Sequence, residues 1–353
     1  MNRTAAPADN GRILCESDAA VGARYKLNDI FCAAWLSHAL TALAKHGVPD
    51  AVGDTATSID EVAAKTGLHA PSLLRAMRAA ASNGVFIQVT GESFRHNEVS
   101  KLLLTNNPYS WKGMACMWNH PSCLSGWSKF SDVLVDGRSG IEHAFGKTLY
   151  EHLAEQPGAT MAFSDAMISN SAHASVAIAK NFPFADYKTV TDLAGGVGTL
   201  LAAILHEHKH LTGVIFEIEE LITAAEEYLQ VNGLSSRAEV VRGDFLTDIP
   251  VESDLYLVKN SLWNWGDTEC SAIIHNVRAA IGSHPERRFL IIEYVIEPAN
   301  APWATLYDLQ ILNMPGGRAR TMPEYENLLK DNGFEIEEVR YVEDQTLIVA
   351  RPC

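Results

Sequence analysis

Apolar residues fall in two rhythms along the chain. Over 26–46 they recur mostly at three- and four-residue spacing, at Ile30, Ala33, Leu36, Leu40, Leu43 and Ala44. That spacing predicts an amphipathic helix, closed by Gly47. Ser58 and Glu61 have the separation of a capping box, for a short helix ending near Gly67. Pro71 suits the first turn of a second helix carrying Leu73, Leu74, Met77 and Ala80. Gly84 stops it, and 85–89 with 93–96 read as a small hairpin. Helix, turn, helix and hairpin make a winged-helix layout. Residues 108–185 read as mostly helical and are rich in Trp, Met and Phe. Trp111, Met114, Met117, Trp118, Trp127 and Phe130 come first; Phe145, Tyr150, Met161, Phe163 and Met167 follow. Most suit a core, and such a surplus between two domains also suits an apolar ligand pocket.

From residue 188 strands and helices alternate. Strands are expected at 189–193, 211–218, 238–242, 254–259, 288–294, 335–341 and 345–350. Helices are expected at 200–207, 222–231, 270–280 and 322–332. The class is α/β: a Rossmann-like, doubly wound, mostly parallel sheet with helices on both faces and an antiparallel C-terminal pair. The expected divisions are a loose 1–20, a winged-helix-like unit over 21–107, a helical pocket region over 108–185 and the sheet domain over 186–353.

Composition narrows the function. The chain has 353 residues, with 28 Lys+Arg against 43 Asp+Glu, for a net charge of −15. The presumed recognition helix offers only Arg75 and Arg78, so nucleic acid is not the expected partner. No apolar stretch approaches the roughly 18 residues of a membrane span, and the N-terminus lacks the apolar core of a signal peptide. The six cysteines form no CxxC pair. Reduced thiols in a cytoplasmic protein are the expectation.

The most informative segment is Val190-Thr-Asp192-Leu-Ala-Gly195-Gly196-Val-Gly198. A strand ends in a glycine turn and a helix opens, which lets backbone donors approach a ligand closely. The next strand ends in Glu217, placed to accept from both hydroxyls of a ribose. The third runs into Gly243-Asp244-Phe245. There a carboxylate suits an adenine amino group and a ring suits its face.

This order resembles class I S-adenosylmethionine (SAM)-dependent methyltransferases. From about Lys26 to Val349 the chain resembles one branch closely, the small-molecule O-methyltransferases of natural-product pathways. Further matches are FSDAM at 163–167, KNSLWNW at 259–265, Glu293, Asp308 and GGRART at 316–321. The resemblance implies an N-terminal dimerisation domain, hence a homodimer, and SAM as cofactor, with S-adenosylhomocysteine (SAH) as product. Asp192, Gly196 and Gly198 would line its methionine end. Glu217 would hold the ribose, Asp244 and Phe245 the adenine, and Lys259 and Trp265 the remaining wall. The acceptor pocket would comprise Trp118, Asn119, Tyr150, Met167, Trp263, Asn264, Asp308, Gln310 and Met314.

One departure matters. Where the family usually has His-Asp-Trp, with His deprotonating the acceptor, this chain has Trp263-Asn264-Trp265. Indole cannot accept a proton. The family's second acid is Ala319 here, while its partner survives as Glu293. Bacterial anthracycline-type relatives carry the same Asn-Trp and GGRxRT. Three explanations stay open. Methyl transfer can run on proximity and orientation. The acceptor can be carbon or nitrogen. Or the fixed sulfonium assists another reaction, such as hydroxylation or a pericyclic step. A partner protein that binds SAM without turnover is the reading from another class. Candidate catalytic residues are His120, Asn264 and Glu293. His206, His208 and His210 imitate a metal cluster at a helix end, as do Cys116, His120 and Cys123 in sequence. His206 and His210 would share a face only if the helix continued, and the Cys-His-Cys spacing matches no common zinc site and lacks an evident fourth ligand, so no metal is expected.

Overall fold

The computed structural model describes residues 18–298 and 301–353, without the side chains of 18–20, 157–159, 161, 162 and 301. Residues 1–17 of the expected loose stretch, and the Met161 side chain, lie outside the described residues. Residues 18–20 already belong to the first helix. The chain divides into two compact units, Met1–Ser100 and Lys101–Cys353. The sequence reading puts the break after residue 107 and sets 108–185 apart. In the structure those helices belong to the second unit.

The first unit holds α1 (Asp18–Lys45), α2 (Val48–Ala51), β1 (Thr57–Ser58), α3 (Ile59–Thr66), α4 (Ala70–Ser82), β2 (Ile87–Gln88) and β3 (Ser93–Arg95). Its strands pair antiparallel in the order β1-β3-β2. The capping box is present: Glu61 N donates to Ser58 Oγ at 3.2 Å, and Ser58 N donates to the Glu61 carboxylate at 2.9 Å. Pro71 sits in the first turn of α4. Ile59, Val62, Leu73, Met77, Phe86 and Phe94 are buried. The spacing-derived stripe of α1 behaves differently. Leu43 and Ala44 are buried, whereas Ile30 is exposed beside Phe31 and Trp35, at 69% and 71% exposure.

The short helix α5 (Glu98–Lys101) spans the break. In the second unit, α6 (Lys112–Met117), α7 (Pro121–Trp127), α8 (Phe130–Asp136), α9 (Gly140–Phe145), α10 (Leu149–Glu155) and α11 (Pro157–Asn181) come first. Then follow β4 (Thr189–Leu193), α12 (Thr199–Glu207), β5 (Thr212–Glu217), α13 (Glu219–Val231), β6 (Ala238–Arg242), β7 (Leu255–Lys259), α14 (Asp267–Ile281), β8 (Arg288–Glu293), α15 (Ala301–Asn313), α16 (Met322–Asp331), β9 (Phe334–Val342) and β10 (Gln345–Pro352). The sheet order is β6-β5-β4-β7-β8-β10-β9, parallel as far as β8, with β10 antiparallel to both neighbours.

Alternate strand residues point to opposite faces, so the two helix layers have separate cores. Leu255 and Leu257 of β7 and Leu290 of β8 pack with Leu201 and Ile204 of α12 and Ile178 of α11. Tyr256 and Val258, with Ile291, pack with Ile273 and Val277 of α14 and Leu329 of α16. The short α2, β1 and α5 and the longer α15 are absent from the sequence reading. Helix α15 has apolar residues on all sides and Pro and Gly close to its ends, so it carries no clean period.

Ser58→Ala removes one half of the capping box. The expected cost is about 1 kcal/mol in hydrogen-exchange protection over residues 59–66. Unchanged protection there would contradict the assignment.

Candidate active site at the carboxyl ends of the sheet

Strand order reverses between β4 and β7, and a ligand crevice forms at such a switch point. Both strands end there in strain. Ala194 after β4 and Asn260 after β7 take left-handed backbone, with φ of 52° and 50°. Gly196 and Gly198 follow with φ of 59° and 91°. At Gly198 a side chain would also strike Ile215, so only glycine fits.

Glu217 is buried, and its carboxylate accepts from Gly196 N and Ile218 N, each at 2.9 Å. Burial raises its carboxyl above the usual range, opposed by those two amides. Two amides leave lone pairs free on a carboxylate. Asp192 is buried with Oδ2 unpartnered, as is Trp265 Nε1. Burial pushes Asp192 up to about 7, against the pull of Lys259. Desolvation brings the Lys259 ammonium down to about 8, opposed by Asp192, Glu293 and Asp344, while its Nζ donates to Ser171 Oγ at 3.1 Å. Asp244 is exposed, with Oδ1 taking Leu246 N at 2.9 Å. Phe245 beside it is buried and meets Trp265 edge-on at 6.1 Å. The eight residues expected around a cofactor thus lie at or just beyond the ends of β4, β5, β6 and β7.

The turn after β7 is held from both sides. Glu293 Oε1 accepts from Ser261 N at 3.1 Å and Trp263 N at 3.3 Å. Glu293 is fully buried, which raises it to about 8. Arg320, buried as well, donates to the carbonyls of Leu262 and Trp265 at 3.4 and 3.1 Å and to Asp267 at 2.6 Å. Trp263 itself is buried, with Nε1 donating to Asn260 O at 2.9 Å. Its ring stacks on Tyr294 at 5.2 Å and Tyr307 at 6.0 Å. Tyr307 also meets Trp118 edge-on at 5.8 Å. Tyr150 turns the other way: it stacks on Trp265 at 6.1 Å and bonds to the Asn264 side chain.

The other expected pocket residues divide. Met167 and Trp118 pack against a cluster with Met114 and Met117. Met314 packs with Cys123, Ile141 and Leu149. A cavity is lined by Met117, Leu149, Leu153, Phe163, Met314 and Cys123, with His120 and Ser122 as its polar wall. Asn119 precedes His120 in the turn between α6 and α7. Gln310 is occupied at both ends: Oε1 takes Trp127 Nε1 at 2.8 Å, and Nε2 reaches Cys123 Sγ at 3.2 Å. It links α15 to α7. Asp308 Oδ1 accepts from Ala319 N at 2.7 Å and links α15 to the 316–321 loop.

Tyr307, Arg320, Ser122 and His152 escape the sequence reading. Arg320 stands inside GGRART without a role there, and the others sit on helices whose contacts only the fold supplies. Of the three histidines at that helix end, His208 Nε2 meets Ala179 O at 2.8 Å and His210 Nε2 meets Tyr187 O at 3.1 Å.

Sheet order, antiparallel end pair and glycine turn define a Rossmann-like cofactor domain, joined to a helical N-terminal unit. Residues 127–335 match the O-methyltransferase domain, and 28–106 match the O-methyltransferase dimerisation domain. The phenazine O-methyltransferase of Lysobacter antibioticus is 31% identical over 306 residues, covering 86% of this chain and 89% of the relative. The 8-amino-8-demethylriboflavin N,N-dimethyltransferase of Streptomyces davaonensis is 28% identical, covering 84% and 86%. The solved structure of mitomycin 7-O-methyltransferase superposes with a TM-score of 0.85 at 28% identity, over 95% of this chain and 99% of that one. The chain belongs to the O-methyltransferase family. It is a SAM-dependent methyltransferase of the natural-product type. Among the described residues, no helix is long and apolar enough to cross a membrane.

The raised Glu293 carboxyl sets a sign. The folded state holds a proton that the unfolded chain releases, so this group's contribution to stability falls as pH climbs from 4.5 to about 8. Glu293→Gln keeps an acceptor for the two amides and removes the titration. Urea unfolding across that range should show the variant gaining on the native protein as pH rises. A difference independent of pH would contradict the buried, protonatable carboxyl.

Proposed function

We propose that this protein methylates a heteroatom on a planar, largely apolar natural-product intermediate, by proximity and orientation rather than by a His base. The observation that carries this reading is Trp263. At the place where the family's base would sit, an indole is stacked into a wall of rings. The orphaned Asp192 Oδ2 and Trp265 Nε1, together with the glycine turn, fit SAM. Asp192, Gly196 and Gly198 would hold its methionine end, Glu217 its ribose, and Asp244 and Phe245 its adenine. Lys259 and Trp265 would close that wall.

When bound, SAM would supply a methyl group already activated on a sulfonium, for transfer to the acceptor's lone pair with SAH as the leaving product. The protein's own work is alignment, and removal of two bodies' freedom supplies several kcal/mol of the barrier. The acceptor's proton passes to water. Trp263, Trp118, Met167 and Met314 would form the acceptor's apolar walls, while Asn264 and Tyr150 join the acceptor and cofactor sides. Glu293 and Gln310 act through the elements they hold, as positioning residues. Oxygen and nitrogen both stay open as acceptor atoms, since the relatives include O- and N-methyltransferases.

The test is mass spectrometry of candidate phenols and nitrogen heteroaromatics incubated with SAM. A product heavier by one methyl, with matching SAH, is expected. Conversion with SAM unconsumed would overturn methyl transfer in favour of an assisted rearrangement or hydroxylation. Glu217→Gln should weaken SAH binding about tenfold in calorimetry, through loss of charge-assisted bonds to the ribose. Unchanged affinity would remove Glu217 from the site.

The same reading makes the protein a homodimer. Phe31 and Trp35 lie exposed on α1 within the segment that matches the dimerisation domain. Exposed apolar faces of this kind mark association surfaces. Trp35→Glu with Phe31→Glu should shift light-scattering mass from dimer to monomer. A double variant that stays dimeric places the interface elsewhere.

A further inference from the structure

Helix α6 lies on α11 at backbone distance. A side chain on Gly113 would bring its Cβ to 2.7 Å from the Asp165 carbonyl carbon, closer still to the carbonyl oxygen, and to 2.6 Å from Ser169 Oγ. A carbonyl in the helix ladder cannot turn aside, so this approach admits glycine alone. The same stretch of α6 carries Met114 and Met117, buried with Ala166 of α11, and Trp118, Phe163 and Met167 pack against them. Trp118 follows α6 directly, and its ring meets Tyr307 of α15 edge-on at 5.8 Å. Tyr307 in turn stacks on Trp263 at 6.0 Å. How closely α6 sits on α11 therefore fixes how far Trp118 stands from the rings of α15.

We propose that Gly113 is a positioning residue that holds Trp118 close to Tyr307 and thereby restricts the acceptor to flat, fully aromatic ring systems. The proposal rests on reading Trp118, Met167 and Trp263 as acceptor walls. Aromatic carbons lie in one plane, whereas a saturated ring carries hydrogens above and below its mean plane. Closely packed walls take the first and must shift for the second, and such overpacking is costly. Alanine at 113 cannot keep the present contact. Ordinary separation from the Asp165 carbonyl is reached about 1 Å farther out. Trp118 moves with its helix, and the walls stand farther apart. Specificity then comes from rejection of the thicker ligand, and the wider variant loses that rejection. A purely structural Gly113 would affect stability alone.

The probes are 1-naphthol and 5,6,7,8-tetrahydro-1-naphthol, which share a phenol and differ in the flatness of the second ring. Both are titrated into SAH-saturated protein. The native protein should prefer 1-naphthol about tenfold. Gly113→Ala should reduce that preference to about threefold or less, chiefly by tighter binding of the tetrahydro compound. Trp118→Leu removes the ring without a backbone clash and should do the same, so the test stands even if Gly113→Ala folds poorly. The double variant should match Trp118→Leu alone, because Gly113 acts through that ring. Gly213→Ala crowds Leu201 at 2.6 Å between β5 and α12, and should keep the native preference. A tenfold preference that survives Gly113→Ala or Trp118→Leu overturns the proposal and leaves the acceptor walls standing. Loss of preference in Gly213→Ala as well overturns it too, since general softening would then be the cause. If the native protein binds SAH and neither probe, the reading of the walls fails, and the proposal with it.

Discussion

One buried carboxyl group organises the centre of this molecule. Glu293 ends β8 without solvent and accepts the amides of Ser261 and Trp263. From the opposite side the buried guanidinium of Arg320 takes the carbonyls of Leu262 and Trp265. The turn after β7 is thus gripped by an acceptor on its N–H groups and a donor on its C=O groups. Backbone groups buried in this way need such partners, or the turn would unravel toward water. The grip also explains why Asn260 can stay in left-handed backbone, since the surroundings over-determine it.

The consequence is a division of labour between two tryptophans. Trp263 goes to the rings of Tyr294 and Tyr307, near Trp118. Trp265, two residues on, goes to Phe245 and Tyr150. One set of rings stands on α15 and after β8, the other on α10 and after β6. A histidine in place of Trp263 would offer a proton acceptor; the indole offers area and rigidity. The proposed methyl transfer depends on holding partners in line, and a turn clamped on both sides is suited to that demand.

The sheet was legible because its strands are short apolar runs bounded by turns, and β4 and β6 fall at the residues their patterns predict. The acids and glycines proposed for the cofactor stand at strand ends, and strand ends are visible in the sequence. The acceptor side was harder. Helix α15 carries no period, so the contacts of Tyr307 and Gln310 were not readable; in the structure the Gln310 amide joins α15 to α7. Glu293 was read as a candidate acid by its place in the motif. Only the fold reveals its full burial on backbone amides. The apolar spacing in α1 predicted the helix correctly but not which face would be covered.

The most direct test of this account is calorimetric titration of SAH and of 1-naphthol into Trp263→Ala and Trp265→Ala. The account predicts that Trp265→Ala weakens SAH, and that Trp263→Ala weakens the naphthol while leaving SAH within about twofold. Equal loss of both ligands in both variants would contradict a turn that separates the cofactor wall from the acceptor wall.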